Sequence, residues 1–115
     1  MEINSEIKDN IVWITISGRM VLDKSLFRLR EQVLYGLESG KRGFVVDISQ
    51  LSHLDSSGCG EVISAHTSIQ RAKGVLVFVN PAEHVRRLWD HTKLNTVLVI
   101  RETPDEARAF VRQSL

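Results

Sequence analysis

Phe44-Val45-Val46-Asp47-Ile48 leads towards Leu54-Asp55-Ser56-Ser57-Gly58-Cys59-Gly60, and the junction between these two stretches decides how the chain is built. The first is apolar except for Asp47, the pattern of a strand buried on both faces. The second opens a helix that should run from Ser57 to about Lys73, with Val62, Ile63, His66 and Ile69 along one stripe and Gly74 closing it. N–H groups in a first helical turn have no intrahelical partner, and the aligned peptide dipoles make that end weakly positive. Ser56 is placed to be the N-cap, its hydroxyl accepting from an N–H two or three residues on. Gly58 and Gly60 are poor helix formers; without Cβ atoms they expose backbone, which reads as a docking site for another surface.

Outward from this junction, strands alternate with helices. Met1 to Lys8 is a short edge strand, and the turn Asp9-Asn10 joins it as an antiparallel hairpin to Ile11-Val12-Trp13-Ile14-Thr15-Ile16. Val12, Ile14 and Ile16 fall on one face of that strand and Ile11, Trp13 and Thr15 on the other; Gly18 ends it and opens the loop Arg19 to Asp23. Leu26, Leu29, Val33 and Leu37 recur at helical spacing and predict a helix from Asp23 or Lys24 to about Glu38, stopped at Gly40. Beyond the central helix come a strand at Val75 to Val79, a helix from Ala82 to about His91 burying Val85, Leu88 and Trp89, and a last strand at Val97 to Ile100. Thr103-Pro104-Asp105-Glu106 then caps a closing helix that packs Ala107, Phe110 and Val111. The expectation is a single α/β domain over residues 1–115, with about five strands, mainly parallel, and about four helices.

Composition narrows the function. A chain of 115 residues, 43% hydrophobic, suits one compact domain, and Lys+Arg 15 against Asp+Glu 14 supports neither a nucleic-acid footprint nor an acidic tail. No apolar run is long enough to insert in a bilayer, and the start, Met1 to Glu6, lacks the pattern of a secretory leader, so a cytoplasmic protein is expected. The single cysteine, Cys59, cannot form an internal disulfide. A nucleophile elbow requires glycine two residues before the serine, where Leu54 and Asp55 stand. His53, His66, His84 and His91 with Cys59 match no metal-ligand spacing, and neither dinucleotide nor Walker glycine patterns occur, so no metal or cofactor is expected. Cys59 can be a packed small hydrophobe or a thiol activated by the helix dipole. Asp47 and Asp55 could hold Mg²⁺ as a pair, or close the strand and brace the turn through Asx bonds.

Asp55-Ser56-Ser57-Gly58-x-Gly60 after a strand closely resembles the phosphorylation loop of anti-sigma factor antagonists, the single-domain STAS proteins of bacterial partner-switching systems. Ile16-Ser17-Gly18, Phe44 to Ile48, and Val85-Arg86-Arg87-Leu88-Trp89 before Leu94 resemble the family in the same order. The resemblance implies the STAS fold, with strands in sequential order and the first antiparallel at an edge. It implies phosphorylation of Ser56, and it places Asp55 in the site recognised by a kinase. The partner would be an anti-sigma factor that is also a serine kinase with its own ATP site, and a serine phosphatase would act on phosphorylated Ser56. The partner-binding set would comprise Asp55, Ser56, Ser57, Gly58, Cys59, Gly60, Arg19, Met20 and Val21. Two features depart from the family pattern: Arg19-Met20-Val21-Leu22-Asp23 replaces a more acidic segment, and Cys59 replaces a larger aliphatic residue. The resemblance is also compatible with an accessory subunit of a membrane transport complex that contacts its ATPase.

Overall fold

The computed structural model describes residues 1–115. Five strands form one sheet in sequential order: β1 (Glu2–Lys8), β2 (Ile11–Met20), β3 (Gly43–Leu54), β4 (Val75–Val79) and β5 (Val99–Arg101). β1 is antiparallel to β2, and β2 to β5 are parallel. The helices are α1 (Arg28–Glu38), α2 (Ser56–Arg71), α3 (Glu83–His91) and α4 (Pro104–Ser114). Asp9 and Asn10 both adopt positive φ, 57° and 63°, as a two-residue hairpin turn requires.

Sequential parallel strands joined by crossovers of one hand carry all their crossover helices on the same face. The larger core lies there: Val12, Ile14 and Ile16 of β2 and Phe44, Val46 and Ile48 of β3 meet Leu29 and Val33 of α1, Val62, Ala65 and Ile69 of α2, and Val85 and Trp89 of α3. α4 follows the last strand and covers the opposite face, where Ala107 and Val111 join Ile11, Val45, Val77 and Val79. Arg30 and the buried Glu61 link α1 to α2 at 2.6 Å. No helix is long and apolar enough to cross a membrane.

Several boundaries move from their sequence-based positions. α1 starts at Arg28 because Asp23 Oδ1 accepts from the N–H and hydroxyl of Ser25, and the chain closes short turns from Leu26 N to Asp23 O and from Arg28 N to Ser25 O. Such local side-chain bonds compete with helix nucleation. β2 passes through Gly18 to Met20 and β3 runs on to Leu54, with register shifts after Thr15 and Gly18 that absorb the irregular apolar pattern. Val97 is exposed and lies before β5. On α2 the buried stripe is Gly58, Glu61, Val62, Ala65 and Ile69, whereas Ile63 is 40% exposed and His66 half-buried. Lys73 takes the left-handed conformation after α2, at φ 62°. Gly74 is instead a close-packing residue, since a Cβ there would lie 2.5 Å from the Arg42 carbonyl oxygen.

Trp89 is fully buried and meets Phe78 edge-on, with ring centroids 5.3 Å apart. Trp89→Ala leaves a cavity under α3 and should cost about 3–5 kcal/mol, measurable by urea unfolding monitored by circular dichroism.

Candidate functional site

β3 ends at Leu54 and α2 begins at Ser56, so the residue between them controls both. Asp55 is the N-cap in extended conformation, and its Oδ1 accepts from Gly58 N at 2.8 Å. Its Oδ2 accepts from Leu22 N at 3.1 Å, which ties the segment after β2 to the start of α2. The Asp55 N–H donates to Met20 O at 3.4 Å, and the Asp55 carbonyl accepts from Cys59 N at 2.9 Å. These N–H donors, Gly58 first and then Leu22, hold the Asp55 carboxyl below the usual carboxylate range against the opposing effect of desolvation.

Because Asp55 caps the helix, Ser56 does not. Ser56 is the first residue of α2, exposed to solvent. The expectation of a Ser56 cap is corrected for a simple reason: a carboxylate has two strong acceptors, and the preceding residue has the extended geometry needed to aim one of them at the third helical N–H. Ser57 is half-buried beside it.

The two glycines divide. At Gly58 a Cβ would collide with the Met20 carbonyl oxygen and lie 2.6 Å from Leu54 Cδ1. Gly58 is therefore buried for internal packing, which corrects its reading as exposed backbone. At Gly60 a Cβ would meet nothing within 4 Å, and that side of α2 is open. Met20 also leaves the partner-facing set, because its side chain is fully buried in the main core. Arg19 is exposed but lines a depression with Met1, Glu2, Ser17, Gly18 and Asp23, and its charge helps lower the Asp23 carboxyl after the Ser25 hydrogen bonds. Val21 is half-buried, and the exposed apolar residue of that loop is Leu22, at 75%.

A groove of about 480 Å³ opens beside Ser56. Asp55, Ser56, Cys59, Gly60 and Ile63 form one wall; Leu88 of α3, Thr92 just after that helix and Leu94 form the other, with Leu54 also lining the groove. Ile63, Leu88, Thr92 and Leu94 were not in the sequence-derived site. Spacing offered a partial signal, since Cys59 and Ile63 stand one helical turn apart. Burial pushes the Cys59 thiol above its ordinary value, so this thiol is a packing group of the groove. Burial likewise lowers the His66 imidazole. Asp47 accepts from Ser49 N at 2.9 Å, and residues 48–54 of β3 separate it from Asp55. At about 3.3 Å of strand per residue the two carboxylates cannot share one cation.

The STAS domain model matches residues 2–107. The chain belongs to the STAS family. Solved structures of anti-sigma factor antagonists share the fold. One from Mycobacterium paratuberculosis superposes with a TM-score of 0.79 at 21% identity, over 96% of this chain and 95% of that one. The phosphorylated form of the Bacillus cell fate determinant SpoIIAA gives 0.72 at 22% identity, over 96% and 99%. A serine-to-glutamate variant of Moorella thermoacetica RsbS gives 0.81 at 16% identity, over 98% and 97%. The sheet of this STAS domain, with β1 antiparallel at its edge, is the one expected.

Two outcomes follow from the Asp55 clamp and the paired glycines. Gly58→Ala must displace backbone and should destabilise the domain by about 2–3 kcal/mol, whereas Gly60→Ala gains helix propensity in open space and should stabilise it by up to about 1 kcal/mol; denaturant midpoints check both. The depressed Asp55 pKa means that its contribution to stability is complete above the ordinary carboxylate value, about 3.9, and is lost as pH falls through the lower folded value. Amide shifts of Gly58 and Leu22, followed by NMR down the acid limb, should move together, and Asp55→Ala should abolish that shared transition.

Proposed function

We propose that this STAS domain is an anti-sigma factor antagonist, a non-enzymatic protein-binding switch governed by phosphorylation of Ser56. The observation that carries the reading is the exposed Ser56 at the first position of α2, not used as a cap, at the rim of an apolar groove. A kinase can reach such a hydroxyl without unfolding the helix.

In the unphosphorylated state, Ser56, Ser57, Gly60, Cys59 and the groove wall would meet an anti-sigma factor that is also a serine kinase. Leu22, held by Asp55, would extend the contact, with Arg19 and Val21 at its margin and Gly58 acting from within. Capture of that partner frees its target. The kinase brings its own ATP, so this chain requires no cofactor. Phosphorylation introduces about −1.5 to −2 charges and three acceptor oxygens. Within the domain the N–H groups of Ser56 and Ser57 and the helix dipole favour that charge, so the fold survives. At an interface fitted to a neutral hydroxyl, a desolvated dianion costs several kcal/mol, and each 1.4 kcal/mol is about tenfold in affinity. A serine phosphatase would reset the state. The neighbours' description as anti-sigma factor antagonists supports the general role.

With the cognate kinase and ATP, mass spectrometry should locate the phosphate on Ser56. Ser56→Ala should bind the kinase and stay unmodified, whereas Ser56→Asp should bind at least about 100-fold more weakly. Equal affinities by calorimetry, or a phosphate on another residue, would remove the basis of the reading.

A further inference from the structure

The outer side of β1 is an unpaired sheet edge, and its seven residues, Glu2-Ile3-Asn4-Ser5-Glu6-Ile7-Lys8, read as a self-complementary sequence. Lys8 and Ile11 face each other across the two-residue turn, so they form the hydrogen-bonded pair that closes the hairpin. Hydrogen-bonding groups alternate in direction along a strand. Lys8, Glu6, Asn4 and Glu2 therefore direct their N–H and C=O groups to β2, and Ile7, Ser5 and Ile3 direct theirs to solvent.

We propose that β1 pairs antiparallel with β1 of a second copy of this chain, about a two-fold axis at Ser5, joining the two sheets into one. The outward groups are symmetric about Ser5, so Ile3 of one copy faces Ile7 of the other and Ser5 faces Ser5, each pair exchanging its backbone bonds. Side chains agree with this register. Glu2 stands opposite Lys8, an attractive pair at both ends of the seam, and Asn4 stands opposite Glu6.

Neighbouring registers fail on charge. A slip of two residues one way sets Glu2 opposite Glu6, and a slip the other way sets Glu6 opposite Glu6, both like-charge contacts that disfavour pairing. Charged residues on edge strands ordinarily deter association. Here their spacing disfavours both neighbouring registers, and the shorter overlap centred on Ile7 gives up the outward bonds of Ile3 and Ser5. The apolar groups on the helix side also call for cover: Ile7 is 52% exposed and Tyr35 67%, and the two line a groove with Ser5, Glu6 and Gln32. In the dimer Ile3 of the second copy lies over Ile7. The Ser5 hydroxyl already donates to Gln32 Oε1 at 2.6 Å on that face, which holds the centre of the strand in line.

One strand pair buries little area, so a weak, reversible dimer is expected, with Kd on the order of 100 μM. Sedimentation velocity on the full chain, over about 10 μM to 1 mM, should show a monomer converting to a dimer. At the high end, amide exchange by NMR should slow at Ile3, Ser5 and Ile7 relative to the low end. Ser5→Pro removes the central outward N–H, a change that edge strands tolerate, and should leave a folded monomer. Lys8→Glu should weaken association at least about fivefold, and Glu2→Lys combined with Lys8→Glu should restore it. A monomer throughout overturns the proposal. So does a dimer that Ser5→Pro leaves intact, a double reversal no stronger than the single, or exchange protection confined to other strands.

Discussion

One carboxylate holds the working end of this domain together. Asp55 sits where β3 stops and α2 starts, and its two oxygens reach in different directions, one to the first turn of the helix and one to the segment leaving β2. Without the first bond, a helix beginning with two serines and a glycine would have no strong cap. Without the second, the chain after Met20 would be anchored there only by its own backbone. The same carboxylate relieves Ser56 of any structural duty. Removing or altering that hydroxyl thus takes no hydrogen-bonded support away from the start of α2.

The location of that clamp follows from the sheet. Parallel strands taken in order bring their carboxyl ends to one edge, and the crossover helices begin there with their positive ends. β2 and β3 both extend far enough for Met20 to stand beside Leu54, which is how the Met20 carbonyl comes to press against the Gly58 backbone. Only glycine permits that approach. α1, α2 and α3 share one face, so the groove beside Ser56 forms between α2 and α3, with Leu94 closing its end. α4 seals the other face and has no part in the site.

Much of this was legible in the order of the residues. Val75 to Val79 was bounded correctly, because a short apolar run ended by Asn80-Pro81 has no competing interpretation. Thr103-Pro104 marked its helix for the same kind of reason, since a hydroxyl cap and an N-terminal proline act locally; Thr103 does accept from Glu106 N. The hairpin at Asp9-Asn10 was equally local. The start of α1 was obscured by the Asp23–Ser25 turn, and the length of β3 by a pattern that loses its apolar alternation after Ile48 although the partner strand continues. Ile63 shows the limit of helical periodicity: it lies at the margin of the stripe, and which margin faces the sheet depends on how α2 is rotated against α1 and β3.

Local chemistry by itself determined that a strand meets a helix at Asp55-Ser56, that the chain folds as alternating strands and helices, and that the serine pair lies at a helix start, because periodicity, caps and turns act within a few residues. Tertiary structure decided which of Asp55 and Ser56 would cap, which glycine would be internal, that Met20 would point inward and that a groove would open at Ile63, Leu88 and Leu94. Those outcomes depend on where Leu22, Met20 and α3 lie in space: β2 brings Met20 and Leu22 to the site, and β4 leads into α3. A side chain's neighbours along the chain set its conformational preferences; only its neighbours across the sheet set its partners.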